Sequence, residues 1–283
     1  MNGELFAGQS RRLVVLNLGA GRQSVALLAM AIAGEIERPD LVIHADTGHE
    51  RTATYRYMRD VVVPRCKAAG LPLLIVNNGS IRDDTLASVR EGSRVANAPY
   101  WADKGNGQRG PLMRLCTSEY KLVPIRRAIR AHLGVKNGCP VYTKAHPWHV
   151  DQWIGIATEE SDRAKGKSGV CWSSLSYPLL DLDMSTADCI AKLHELGWPI
   201  PVKSACIACP FRSDSSWARL KIEAPADFAE AVAFDAELRA HGRLNARYQG
   251  GALPIYVHES CKPLGEITFT DDGSGDAFGG AFC

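Results

Sequence analysis

Three cysteines stand in positively charged surroundings, and that is where the sequence first offers chemistry. Cys116 lies just before a basic stretch with Lys121, Arg126, Arg127 and Arg130 in RLCTSEYKLVPIRRAIR. Further on, SACIACPFRSDSSWARLK carries Cys206 and Cys209 as a CxxC, with Arg212, Arg219 and Lys221 beyond it. Cationic neighbours and helix starts lower a thiol pKa, and the thiolate is the form that ligates metals or attacks sulfur. A structural zinc site needs four ligands. The remaining candidates are Cys139, Cys261, Cys283 or a histidine, and none has metal-ligand spacing. Cys66, Cys171 and Cys189 are expected to be buried as small apolar residues.

A second group of residues could hold an anion. In GAGRQS, residues 19 to 24, Gly19 and Gly21 let the backbone approach a ligand, and Ser24 falls in the first turn of a helix beside unsatisfied N–H groups. The spacing is neither GxGxxG nor GxxxxGK[ST], so plain punctuation between strand and helix stays open. In ADTGHERTATYRYM, Asp46 and Thr47 end a strand, where a carboxylate can meet a ribose or a metal; the alternative is an ordinary helix cap. WIGIATEESDRAK reads as a strand ending in a polar turn with Glu159, Glu160, Ser161 and Arg163, or as a solvated helix start. Residues 91 to 111 are rich in Gly, Asn and charge, a lid or an irregular loop, where Tyr100 and Trp101 either stack on a base or pin the loop.

The elements that must position these groups follow from periodicity. Leu13 to Leu18 is a short β-type run, and Gln23 to about Glu35 is apolar all round, as in a helix packed on a sheet. LVIHA is a second buried strand, Thr52 to about Ala69 a longer helix closing at Gly70, and LPLLIVNN a third strand. Strands alternating with helices predict an α/β fold, a doubly wound and mostly parallel sheet whose ligands sit at the carboxyl ends of the strands. The length of 283 residues suits one large domain or one domain with an appendage. Lys and Arg number 33 against 31 Asp and Glu, so nucleic-acid binding needs a local basic patch. No apolar stretch approaches a bilayer span and MNGELFAGQSRR lacks an apolar signal region; the expectation is a cytoplasmic protein with reduced thiols and no membrane.

Taken in order, five motifs resemble one family. LNLGAGRQS is similar to a PP-loop, ADTG to the DTG that follows it, and RLCTSEYKLVPI, GIATEESDR and CIACPF recur in that order in proteins like phosphoadenosine phosphosulfate reductases. The resemblance spans about residues 13 to 221 and is to the PP-loop ATP pyrophosphatase superfamily, in its phosphoadenosine phosphosulfate reductase-like branch. It implies an adenine nucleotide alpha hydrolase-like sheet with a C-terminal cysteine-containing helical extension. The corresponding domains are 1–170 for the nucleotide, 171–270 carrying the CxxC, and a flexible tail over 271–283.

The resemblance also implies ATP as ligand, with phosphates on Gly19, Ala20, Gly21, Arg22, Gln23 and Ser24. Asp46 and Thr47 fall on the adenosine side, and Gly155 and Arg163 in the later substrate-contacting motif; Arg22, Ser24 and Asp46 carry the chemistry. Two departures matter. Gln23 stands where the usual aspartate would be and Gly19 where a serine would be, while the ECG motif of true phosphosulfate reductases is absent. The likeness is then nearer to the ATP pyrophosphatases of DNA phosphorothioation systems and, more distantly, to tRNA thiolation enzymes. This implies a 4Fe-4S cluster on Cys116, Cys206 and Cys209, magnesium with the ATP, and a cysteine desulfurase as sulfur donor. A nucleic-acid acceptor is adenylated with loss of pyrophosphate before sulfur displaces AMP, DNA backbone phosphate being preferred to tRNA. Lys121, Arg126, Arg127, Arg212 and Arg219 would follow the acceptor's phosphates, or form a solvated helix face. A sulfonucleotide reductase, or a non-enzymatic nucleotide binder with structural zinc, stays open.

Overall fold

The computed structural model describes residues 11–91, 98–103, 108–135, 148–241, 243–244 and 253–270. Along the chain, β1 (Arg11–Asn17) and α1 (Arg22–Ala33) are followed by β2 (Leu41–Asp46) and α2 (Thr52–Tyr57). A π turn at Met58–Val62 continues α2 into α3 (Val63–Ala68), and β3 (Leu73–Asn77) and α4 (Ile81–Glu91) come next. Then follow β4 (Trp101–Asp103), β5 (Arg109–Pro111), a π turn at Ser118–Leu122 leading into α5 (Val123–His132), β6 (Trp148–Ile154) and a 3-10 segment at Thr158–Lys165. The remainder is β7 (Ser173–Ser176), α6 (Pro178–Asp181), α7 (Thr186–Glu195), α8 (Asp214–Glu223), α9 (Pro225–His241), β8 (Arg243–Leu244) and β9 (Leu253–Tyr256).

Five strands make a sheet in the order β3-β2-β1-β6-β7, with β1 parallel to β2 and β6, and β6 parallel to β7. The fold class is the doubly wound α/β type expected. A parallel strand covered on both faces must be apolar on both, and β1 shows it. Val14 and Leu16 enter the core that holds Leu28, Met58, Val62 and Trp198, while Leu13 and Val15 enter a second core with Ile43, Ile125 and Ile129. Helix α1 is buried from Ser24 to Ala31, which explains its lack of a polar face, and it stops at Gly34, whose φ of +77° suits a residue without Cβ.

The chain divides into two compact units that interleave along the sequence. Unit one comprises residues 1–45, 53–76 and 125–204; unit two comprises 46–52, 77–124 and 205–283. Thus β7, α6 and α7 go with the parallel sheet although they follow residue 170, and 46–52 goes with the CxxC segment. The tail 271–283 lies outside the described residues, as do Cys139 and Cys283.

Unit two contains an antiparallel sheet, β5-β4-β9-β8, that periodicity did not reveal. Its strands span only two to four residues, too short to show alternation. Its core gathers Tyr100, Trp217, Leu220, Phe234, Leu238, Ile255 and Val257. Asp235, fully buried on α9, accepts hydrogen bonds from the Val257 and Leu264 amides at 3.0 Å each and from Arg239 Nε at 2.9 Å.

Candidate functional site

In unit one the glycine turn at residues 19–24 lies where strand order reverses, between the carboxyl ends of β1 and β6, and ligands of doubly wound sheets bind at such points. Leu18 is tied by its amide to the Ile43 carbonyl at 2.8 Å, and Ala20 takes a φ of +57°, which turns the chain sharply into α1. Gly21 is the extended N-cap without a side-chain bond, so the first amides of α1 have no capping side chain there. Ser24 is buried, and its hydroxyl donates to the Gly21 carbonyl at 3.3 Å. Gly155, just beyond β6, abuts this turn: a Cβ there would stand 2.7 Å from Ser24 N, 2.9 Å from Ser24 Cα and 3.0 Å from the Gln23 carbonyl carbon. No side chain fits, because all three atoms are backbone. Gly19, Ala20, Gly21, Arg22, Gln23, Ser24 and Gly155 therefore meet in one place.

Arg163 joins them through Glu160, whose carboxylate takes hydrogen bonds from Arg163 Nη1 and from Gln23 Nε2. Gln23 Nε2 also reaches Thr186 Oγ1 at 3.0 Å. Thr186 gave no signal in the sequence, since its contact spans 163 positions.

In unit two, Asp46 closes its own turn, its Oδ1 accepting the Gly48 amide at 2.8 Å. Gly48 has φ +73°, and a Cβ there would lie 2.8 Å from Ser80 Cα. The Thr47 carbonyl accepts the Ile81 amide at 2.9 Å, and Glu50 pairs with Cys206 as an antiparallel bridge, reinforced by the Ile207 amide donating to the His49 carbonyl at 2.8 Å. The Thr47 hydroxyl donates to Glu50 Oε1 at 3.0 Å and lies 3.4 Å from Cys206 Sγ; Cys206 Sγ is 4.0 Å from the same Glu50 oxygen. Glu50 was missed in the sequence because its partner lies 156 positions away. Its location beside a thiol, with both Thr47 and Glu50 buried, ties the DTG loop to the CxxC loop.

The CxxC itself is a turn, with the Cys209 amide donating to the Cys206 carbonyl at 3.3 Å. Arg212 braces it: Nη2 donates to the same carbonyl at 3.0 Å, Nη1 to Ser216 Oγ at 2.9 Å, and the guanidinium lies 5.1 Å from the Trp217 ring centre. Buried and so engaged, Arg212 does not lie on a solvated helix face, which corrects that alternative. Arg126 also gives one donor to the Ser168 carbonyl, whereas Arg127 is exposed.

Cys116, Cys206 and Cys209 are half-buried thiols of unit two. The Tyr100 hydroxyl of unit two is pushed well above its ordinary pKa by burial. Among the described residues no group of three or more His, Cys, Asp or Glu side chains is arranged to hold a metal ion. Three thiols are nonetheless the soft donor set that iron–sulfur clusters take.

The other cysteines divide. Burial pushes the Cys66 thiol up to about 11 and the Cys189 thiol up to about 12, as inert core residues. Cys171 is exposed, because it sits in the turn before β7 rather than on an element; the expectation of burial fails there. Tyr100 is core, 5.8 Å from the Phe234 ring, and Trp101 donates its Nε1 to the Pro210 carbonyl at 3.2 Å, so the pair pins its segment. No helix among the described residues is long and apolar enough to cross a membrane.

No protein-family model and no curated protein sequence matches the chain. Among solved structures, similarity is found to the phosphoadenylyl-sulfate reductase of Candida auris in its phosphate complex, at 17% identity and a TM-score of 0.41, over 66% of this chain and 74% of that one. The U34-tRNA thiolase of Methanococcus maripaludis with its 4Fe-4S cluster is similar at 14% identity and a TM-score of 0.40, over 85% of this chain and 76% of that one. At these scores neither likeness carries an argument about the chemistry of this chain.

Proposed function

We propose that the chain is a PP-loop type ATP pyrophosphatase that activates a nucleic-acid acceptor for sulfur insertion. The observation that carries the reading is the contact of Gly155 with Ser24: the end of β6 closes on the start of α1 so tightly that a Cβ at residue 155 would meet backbone. A cradle of backbone amides without side-chain caps is suited to phosphate. Residues 19–24 would hold the phosphates of ATP together with Gly155 and Arg163, and Asp46 and Thr47 would serve the adenosine side.

In this reading an oxygen of the acceptor attacks the α-phosphorus of ATP, forming an acceptor O–P bond while the bond to pyrophosphate breaks. Arg22 and the turn amides stabilise the charge that develops on the phosphoryl oxygens. Ser24 fixes the turn, and magnesium bound with the ATP would supply further charge neutralisation. Sulfide, released from the donor's persulfide by a thiol reductant, then attacks the activated centre of the acceptor, and AMP leaves with the acceptor's oxygen. Cys116, Cys206 and Cys209 would hold a 4Fe-4S cluster, which supplies sulfur chemistry when bound. The acceptor we favour is DNA backbone phosphate ahead of tRNA, with a cysteine desulfurase as donor and the cytoplasm as the location.

The test joins two measurements on protein purified without oxygen. Pyrophosphate release from ATP with DNA or tRNA present should exceed release with neither, and should vanish in Gly155→Ala. Iron and acid-labile sulfide of about four each per chain, lost in a Cys116→Ala, Cys206→Ala, Cys209→Ala variant, are expected. Zinc or no metal would remove the cluster; ATP that neither binds nor turns over would sink the reading.

A further inference from the structure

Beside the phosphate turn of unit one, two adjacent glutamates have divided their tasks. Glu159 gives both carboxylate oxygens to the Thr186 amide, at 3.0 and 3.2 Å, and so caps α7, where Ser185 and Asp188 form a capping box as well. Glu160 is turned the other way. Its Oε2 accepts Gln23 Nε2 at 3.3 Å, from the first turn of α1, and its Oε1 accepts Arg163 Nη1. The same Gln23 nitrogen is held by Thr186 Oγ1, and Gln23 Oε1 lies back over the turn, 3.9 Å from where a Cβ on Gly21 would be. Helix α1 has no acidic residue in its own first turn.

Glu160 is thus the carboxylate brought to this turn, and it arrives paired with an arginine. Both partners are partly exposed, 29% for Glu160 and 27% for Arg163, so a ligand can reach the pair. Carboxylate and phosphate oxygens make the same geometric demand on a guanidinium fork. A ligand phosphoryl group entering the turn meets the negative charge of Glu160 and the positive charge of Arg163 together.

We propose that Glu160 is the resident anion of the phosphate turn: Gln23 positions it, it stores Arg163, and a phosphoryl group of the incoming ligand takes its place on Arg163. The inference rests on the nucleotide reading above and adds how the site selects its ligand. A singly charged anion exchanges one charge for an equal one and gains little. A di- or triphosphate brings more charge than it displaces, so the exchange favours polyphosphate ligands. Gln23 and Glu160 are positioning residues in this scheme, and Arg163 is the group that touches the ligand.

Calorimetric titration with inorganic pyrophosphate, without divalent cation, tests the exchange. Glu160→Gln keeps the shape and removes the competing charge; it should tighten pyrophosphate binding about three- to tenfold. Arg163→Met should weaken binding by a similar factor, and in that background Glu160→Gln should gain less than twofold. Should Glu160→Gln melt well below the wild type, Glu160→Asp, which withdraws the carboxylate from Arg163, takes its place with the same expected direction. Wild-type protein that binds pyrophosphate while Glu160→Gln binds no tighter overturns the exchange and leaves the nucleotide reading standing. Wild-type protein that binds neither pyrophosphate nor ATP removes both.

Discussion

The two units build their sites from different materials. In unit one the glycine turn is mostly backbone: strand ends, three glycines and a helix start, with side chains at its margin. In unit two the cysteine region is held by side chains reaching across the sequence, Thr47 and Glu50 to Cys206 and Arg212 to the CxxC carbonyl. A backbone site tolerates changes of side chain but no added Cβ where chains touch. A side-chain site fails by deletion, because each lost partner strands a buried polar group.

The largest effect should come from unit two. Asp235→Ala removes the acceptor for two buried amides and for Arg239, at a cost of about 3–5 kcal/mol; a urea midpoint within 1 kcal/mol of the wild type, the scale of an ordinary surface change, would break the comparison. Next is acid. Burial holds the His49 imidazole down to about 4, against an ordinary 6.5. Above pH 6.5 both folded and unfolded forms are neutral there. As the pH falls from 6.5 to 4 the unfolded chain takes up a proton that the folded one refuses, so stability falls across that window by on the order of 3 kcal/mol and then levels. Urea melts along this range, repeated on His49→Gln, should show the slope shrink in the variant.

Unit one should respond to a single methyl. Gly155→Ala forces the ends of β6 and α1 apart, and overpacking of this kind costs about 1–3 kcal/mol, with ATP affinity falling at least tenfold; unchanged affinity by calorimetry would show that the turn is not the ligand's seat. Smallest is Thr47→Val, which takes the hydroxyl from Glu50 and Cys206 for about 1–2 kcal/mol. Its sharper readout is the rate at which iodoacetamide alkylates Cys206, which should change, while Cys66 and Cys189 stay unreactive in the native protein.

What was legible in the sequence was what periodicity and local chemistry encode. The runs at Leu13 and Leu41 became β1 and β2, and the glycines of residues 19–21 fell at a real turn, because a strand buried on both faces and a helix buried all round leave unmistakable apolar stretches. The rest lies in long-range pairing. Glu50 has no local signal and gains its place only from Cys206 beside it, and Arg212, a candidate for a solvated helix face, is held by the CxxC carbonyl. The short strands around Trp101 and Ile255 pair with each other across the chain, which no local pattern announces.

The interleaving of the two units has a consequence for synthesis. The chain passes between them five times, since six segments alternate, and the last piece of unit one ends only at residue 204. A ribosome releasing the chain from its N-terminus presents β1 and β2 long before β6, the strand that flanks β1 on its other side, has left the exit tunnel. Folding of the parallel sheet must therefore wait until the segment 125–204 has been made, with an unpaired apolar strand edge exposed in the interval. Rate of synthesis and access to chaperones should thus govern the yield of this protein more than they would for one whose units follow each other in order.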